Sequence, residues 1–258
     1  MILAILQARI SSSRLPGKVL KELCGKPMIV HEVERIKKSK LVDKIVVATS
    51  IDKSDDVLVN VCQKYGIEVF RGSLNNVLER FYDCARIYKP AHIVRLTGDC
   101  PLIDWVVIDK VIHLHLKKNN DYTSNTMELT YPDGLDVEIM NFKTLEKVYL
   151  NALLPSELEH VTTYIYNNKS LFKTGYLKND LDLSDLRLTV DEEADFKVIE
   201  IIYNHLYIEN HEFCLKDIVE FLNQHKEVLQ LNSQILRNEG LAKSLKEDIK
   251  FKEEHKNG

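Results

Sequence analysis

The sequence predicts an α/β protein with three layers, a mainly parallel but mixed sheet between helices. Three observations predict it. Strand-like and helix-like patterns alternate through the first two thirds of the chain, at the spacing of βαβ units. The first strand candidate, Ile2–Leu6, is an unbroken apolar run of the kind buried on both faces. Polar and charged residues collect just after the strand candidates, at Gln7-Ala8-Arg9, Thr49-Ser50, Arg71-Gly72-Ser73 and Gly98-Asp99. Ligands of open α/β sheets bind beyond the carboxyl ends of the strands, so these positions share one functional edge.

In order, the strand candidates are Ile2–Leu6, Lys44–Ser50, Glu68–Arg71 and His92–Thr97, separated by helices at Met28–Lys38, Asp55–Tyr65 and Asn75–Tyr88. Val107–Lys117 also reads as a helix. The pattern then changes. Asp121–Thr126, Gly134–Met140 and Leu171–Leu177 read as strands, with helices at Lys143–Asn151 and Glu157–Asn167. Residues 121–180 are expected to continue the sheet and to form a projecting arm that serves a homodimer. A short strand-like run, Leu186–Val190, precedes helices at Glu192–Leu206 and Lys216–Gln224. The main domain is placed at residues 1–230, and residues 231–258 form a charged helical tail whose end, Lys246–Asn257, is solvated.

The bulk numbers exclude several classes. A 45% apolar and 29% charged chain of 258 residues is an ordinary soluble globular composition. The net charge of −4 speaks against a nucleic-acid partner, while leaving room for a local basic pocket. Five scattered cysteines without C-x-x-C spacing fit neither a disulfide framework nor a zinc site, so a cytoplasmic location is expected. The apolar N-terminus is only a strand long, with Arg9 close behind, and gives neither a signal peptide nor a membrane span.

Three places carry the chemistry. Gln7 to Lys18 packs two arginines, a lysine and three serines into one loop without an acid, which suits a polyphosphate. It is not a Walker A sequence or a dinucleotide fingerprint. Arg95 to Pro101 ends an apolar run in Gly98-Asp99, placing one carboxylate where Mg²⁺ could meet phosphates. Asp191 follows Leu188-Thr189-Val190 and is either a helix N-cap or a second metal carboxylate; spacing does not choose. His113 and His115 are two apart on a helix and do not share a face, so they are set aside as a metal site. Cys100 is read as a small buried thiol and Trp105 as a packing group.

The ordered motifs Gln7-Ala8-Arg9 to Lys18, Val47 to Ser50, Phe70 to Ser73 with Val77 to Arg80, Arg95 to Leu102, Asp133 to Glu138 and Glu159 to Thr162 resemble one family. It is that of the cytidylyltransferases related to spore-coat polysaccharide protein F, kin of the acylneuraminate and 3-deoxy-manno-octulosonate cytidylyltransferases. The resemblance covers about residues 1–200, and Asn238 to Ser244 is similar to the family's usual ending. It implies the nucleotide-diphospho-sugar transferase fold and CMP transfer from CTP, with Mg²⁺, to a small anionic or sugar-like acceptor. By motif, Arg9, Arg14 and Lys18 hold the triphosphate, with Gln7, Ala8, Ser13 and Gly98 also on the nucleotide. Asp99 and Asp191 hold Mg²⁺, and Arg14, Lys18 and Asp99 are the catalytic set. Thr49, Arg71, Ser73 and Arg80 lie near base and ribose, and Asp133, Asp136, Glu138 and His160 face the acceptor. Two positions depart from the pattern: Asn76, where an acid is frequent, and Leu158, where an arginine is common. No dedicated base is evident, with His160 the nearest candidate, so an acceptor that is already anionic is expected. The alternatives are a glycosyltransferase on the same fold, whose Asp-x-Asp motif this chain lacks, and a non-catalytic nucleotide binder.

Overall fold

Alternate residues of the first strand face opposite cores, and this fixes the architecture. In the computed structural model, which describes residues 1–237 and 239–255, β1 (Ile2–Gln7) sends Leu3 and Ile5 to one side and Ala4 and Leu6 to the other. A strand apolar on both faces has to be covered on both. Fully burying each such leucine or isoleucine contributes roughly 1.5–3 kcal/mol.

A hairpin of β2 (Glu22–Leu23) and β3 (Lys26–Pro27) leads into α1 (Met28–Ile36). Then follow β4 (Lys44–Ser50), α2 (Asp56–Lys64), β5 (Val69–Gly72), α3 (Val77–Tyr88), β6 (His92–Thr97) and α4 (Trp105–Lys118). β1 pairs in parallel with β4 and β6, and β4 with β5. The chain continues through β7 (Tyr122–Ser124), β8 (Glu138–Asn141), α5 (Phe142–Asn151), α6 (Pro155–His160), α7 (Thr163–Asn167) and β9 (Thr174–Tyr176). β8 runs antiparallel to both β6 and β7, which makes the sheet mixed; its order is β5-β4-β1-β6-β8-β7-β9. α8 (Glu193–Glu209), α9 (Leu215–Gln224), α10 (Lys226–Gln230) and α11 (Glu239–Glu254) complete the described chain. Ile29, Ile108, Ile199 and Ile218 place α1, α4, α8 and α9 on one face, and Phe81, Leu145 and Ile165 place α3, α5 and α7 on the other. Side chains cap the helices that follow strands: Asn76 accepts from Glu79 N at 2.9 Å, and Asp104 from Val106 N at 2.7 Å. Among the described residues no helix is long and apolar enough to cross a membrane.

Four expectations need correction. Residues 134–137 are not strand, because Gly134 sits at φ +101° and the Asn125 side chain brackets the turn through Leu135 O (2.7 Å) and Val137 N (2.8 Å). A Cβ on Gly134 would lie 2.5 Å from the backbone of Leu188, so this close approach requires glycine. Leu186–Val190 is not a regular strand either; it is a strap whose backbone bonds tie Asp133 (2.9 and 2.7 Å) and Asp99 (2.8 Å) together. The expected helix Glu157–Asn167 is split by Val161, a β-branched residue at φ 58°, into α6 and α7. Finally, the charged tail is helical but not free. α11 lies against α6, with Asp248 Oδ1 accepting from Ser156 N at 2.9 Å and Oδ2 from Ser156 Oγ at 2.6 Å. Asn257, at the end of the expected solvated stretch, lies outside the described residues.

Candidate active site

The loop after β1 is held at both ends. Ile10 N donates to Asp55 Oδ1 at 2.7 Å, and Ser50 Oγ and N donate to Asp55 Oδ2 at 2.5 and 3.0 Å, anchoring the loop to the end of β4. Gly17, at φ 72°, turns the chain so that Gly17 N reaches Ile10 O at 3.0 Å. Gly98 N donates to Gln7 O at 2.7 Å, and a Cβ at Gly98 would meet that of Ala8 at 2.8 Å. The β1 and β6 ends therefore approach closely, which brings Asp99 beside the loop.

Lys18 is where these parts converge. Its buried ammonium donates to Asp99 Oδ2 at 3.2 Å, Asp191 Oδ1 at 3.0 Å and Val190 O at 2.6 Å. Burial lowers the proton affinity of Lys18, but Asp99 and Asp191 outweigh it and raise the group above its usual value. Burial likewise pushes the Asp99 carboxyl up, and Lys18 and Thr97 bring it below its ordinary value. Arg14 Nη2 pairs with Asp191 at 2.8 Å, at the mouth of the same cleft. Asp191 is not the N-cap of α8: that residue is Glu192, and its capping-box partner Asp195 accepts from Asp191 N (2.9 Å) and Glu192 N (3.0 Å). Arg187 locks the cluster, reaching Asp195 at 2.8 Å, Asp191 at 2.9 Å and Asp133 at 3.0 Å.

Beyond this cluster lies a cavity of about 400 Å³, lined by residues from β6, the 133–138 segment, α6, α7 and the start of α11. Asp133, Asp136, Glu138 and His160 line it together with Arg14, Asp99 and Asp191, so the expected acceptor and metal residues share one cleft. Glu138 pairs with Arg95 and accepts from Tyr122 OH. Asp136 accepts from Arg237 Nη2 at 2.9 Å; burial, against the pull of Arg237, pushes its carboxyl up to about 7. Burial and Arg95 lower the proton affinity of His160, whose Nε2 lies 3.0 Å from Ser244 Oγ.

The remaining expected nucleotide contacts lie outside this cavity. Arg9 is half-exposed at the loop, 3.6 Å from Glu159, and Ser13 is exposed. Arg71 is engaged locally with Ser50 O (2.8 Å), Asp52 O (2.8 Å) and Asp56 (2.6 Å). Ser73 Oγ accepts from Asn76 N at 3.2 Å, ahead of α3. Thr49 and Arg80 are fully enclosed; among the described residues Thr49 Oγ1 and Arg80 Nε and Nη1 have no hydrogen-bond partner. Burial, reinforced by Arg9, lowers Arg80 to about 10. Leu158 packs into the core beside α3 and does not line the cleft, and Asn76 is the α3 cap. His115 is buried and His113 exposed, so H-x-H does not gather. The cysteines of the described chain are free, Cys100 being buried.

Sequence reasoning missed Arg187 and Arg237, and it marked Glu239 only as part of the family-like ending, without a place at the cleft. Arg187 lies in a run whose alternation, Leu186-Arg187-Leu188-Thr189-Val190, sets a lone cation among apolar neighbours next to Asp191. That was a usable signal; no comparable one marks Arg237.

The chain matches the cytidylyltransferase family over residues 3–248. It belongs to that family. As a cytidylyltransferase it is a CTP-dependent nucleotidyltransferase. It is 35% identical over 231 residues to the spore coat polysaccharide biosynthesis protein SpsF of Bacillus subtilis, covering 87% of this chain and 95% of that one. The cytidylyltransferase structure from Leptospira borgpetersenii superposes with a TM-score of 0.85 at 33% identity, over 89% of this chain and 96% of the other. A CTP complex of CMP:2-keto-3-deoxy-manno-octonic acid synthetase, 17% identical, covers 79% of this chain and 98% of its own with a TM-score of 0.59. The fold is that of the nucleotide-diphospho-sugar transferases.

Proposed function

We propose that this cytidylyltransferase moves CMP from CTP to a sugar-like acceptor, with Mg²⁺ and release of pyrophosphate, for a surface polysaccharide or glycoconjugate precursor. One observation carries the reading: Asp99 and Asp191, from distant parts of the chain, converge on the Lys18 ammonium beside Arg14. The two carboxylates fit Mg²⁺, which accepts one or two carboxylates and takes further oxygens from phosphates and water. Bound there, Mg²⁺ would polarise the α-phosphate and offset charge on the departing pyrophosphate.

The chain's own groups supply the rest. Arg14 and the loop N–H groups bind phosphate oxygens, and Lys18, moving off one carboxylate, stabilises charge that grows on the leaving oxygens. The acceptor oxygen attacks the α-phosphorus from the side of the 133–138 segment, in line with pyrophosphate. Asp136 is the cleft carboxyl whose proton affinity, about 7, suits receipt of a hydroxyl proton. His160 is less suited, since its Nε2 is engaged by Ser244.

The test is a pyrophosphate-release screen, with and without Mg²⁺, pairing each nucleoside triphosphate with sugars, sugar phosphates, polyol phosphates and nonulosonic acids. Release is expected only with CTP, Mg²⁺ and an acceptor together. Equal release from other triphosphates, or an unchanged rate with a chelator present, overturns the reading.

A further inference from the structure

A second cavity, of about 360 Å³, is lined by β3, α1, α8 and the residues just beyond those helices, and it shares no lining residue with the cleft. Lys26, Arg35, Lys37 and Lys38 line it against a single acid, Glu34. Glu34 matches Lys26 at 2.7 Å, and the exposed Glu212, outside the lining, matches Lys38 at 3.4 Å. Four cations against these two carboxylates leave an excess of two positive charges. Asp109 does not cancel it: its carboxylate accepts from Ser39 Oγ (2.5 Å) and from the Lys40 (3.0 Å) and Leu41 (3.3 Å) amides, and counting it still leaves a positive balance. Glu32, also on α1, does not line the cavity, and burial pushes its carboxyl well above the usual range. Burial lowers the proton affinity of His31, whose Nε2–H donates to Leu23 O at 2.6 Å. Arg35 and Lys37 are the cations without a carboxylate partner among the described residues.

Arg35 is buried, and carbonyls rather than carboxylates hold it. Nε donates to Ile103 O at 2.6 Å, Nη1 to Phe213 O at 3.1 Å and Nη2 to Leu102 O at 3.4 Å. A guanidinium has five N–H bonds, so these three leave donors to spare and the charge unmatched. A buried cation without a counter-ion is costly, and an anion entering the cavity supplies the missing charge through charge-assisted hydrogen bonds. Exposed Lys37 adds a second unmatched cation at the same cavity. Two such charges match a phosphate dianion better than a single carboxylate. Much of the remaining lining is aromatic, with the rings of Tyr207 and His211 4.3 Å apart beside Tyr203. A cavity of this volume with aromatic walls and a few convergent charged groups has the character of a small-molecule site.

We propose that this second cavity binds a phosphate-bearing anion, held by Arg35 and Lys37 and separate from the catalytic cleft. Its occupant is either an inorganic phosphate or a phosphate ester whose organic part packs on the rings. The site backs onto the segment that carries Asp99. Arg35 holds the carbonyls of Leu102 and Ile103, and Tyr203 OH donates to Pro101 O at 2.7 Å, two residues after Asp99. The assignment depends on neither the metal nor the acceptor reading of the cleft.

The molecule carries its own reporter. Trp105 is the single tryptophan, and its ring has Lys38 Nζ at 4.7 Å and Arg35 Cζ at 5.2 Å from the centroid. Trp105 fluorescence of the full chain is titrated with inorganic phosphate, with ribose 5-phosphate, and with chloride at matched ionic strength. A saturable change is expected with a phosphate-bearing probe and not with chloride. Lys37→Glu, a change at an exposed position, is expected to weaken that binding by at least ~10-fold, while Lys18→Met in the cleft leaves it within about 2-fold. Tighter binding of ribose 5-phosphate assigns a phosphate ester as the occupant, and equal or tighter binding of phosphate assigns the inorganic ion. No saturable change, a change reproduced by chloride, unaltered affinity in Lys37→Glu, or loss of binding in Lys18→Met overturns the proposal.

Discussion

Lys18 Nζ stands between Asp99 and Asp191, so its removal leaves two carboxylates facing each other across the space that the ammonium filled. Lys18→Met is expected to lower turnover by ~10²–10³, the scale of losing one preorganised charge at a developing oxyanion. Its melting temperature should rise with added Mg²⁺ by more than that of the parent, because a cation can then separate the two acids. Pyrophosphate release and thermal melts with and without Mg²⁺ check both; unaltered turnover removes Lys18 from the reaction. At this scale the sequence was informative where chemistry follows a strand directly. Arg14, Lys18 and Asp99 could be placed at one edge because each lies just beyond a strand end. Arg187 and Arg237 could not, because their partners are set by tertiary pairing; Arg237 and Asp136 are 101 residues apart. Thr49 and Arg80, which motif membership places at the nucleotide, are enclosed by the fold.

The helices tell a similar story one level up. Helix periodicity runs unbroken from Glu157 to Asn167, and only the positive φ of Val161 divides it, so residue pattern alone could not reveal the break. The docking of α11, expected as a helix but a solvated one, was hidden for a different reason. Its contacts to α6 include polar ones, Asp248 to Ser156 and Ser244 to His160 and Glu159, and a charged helix held this way lacks an evident apolar stripe. Asp248→Ala should strand the buried Ser156 N–H and cost about 1–3 kcal/mol of α11 docking. Hydrogen exchange is the direct measurement: amides of 240–255 should exchange faster, while those of β1 stay protected. Unchanged exchange across α11 would show that its docking depends on other contacts.

For the molecule as a whole, the seam between the parallel half of the sheet and its mixed half carries a histidine pair. His92 Nδ1 of β6 lies 3.1 Å from His115 Nε2 of α4, and His115 Nδ1 lies 3.2 Å from Thr123 Oγ1 of β7. Burial, and then His92, lower His115 to about 4 from an ordinary 6.5. The unfolded chain therefore binds a proton that the folded one refuses. Stability from this group is complete above pH 6.5 and is lost as the pH falls toward 4, by about 3 kcal/mol in all. Urea midpoints measured from pH 7 to 4.5 should drop in the parent and drop less in His115→Gln; parallel curves would clear the pair of this role. The sheet itself was legible at this scale. β1, β4, β5 and β6 follow from apolar runs at βαβ spacing, whereas β7 to β9 are only three or four residues long and take their form from their neighbours.

Arg14 and Glu239 meet although 225 residues separate them. During synthesis every strand of the sheet is made before Arg237 and Glu239, so the ion pairs that close one side of the cleft are the last of its parts to form. A chain that stops before residue 237 lacks both the Arg237–Asp136 and the Arg14–Glu239 pairs that tie the last described helix region to the cleft.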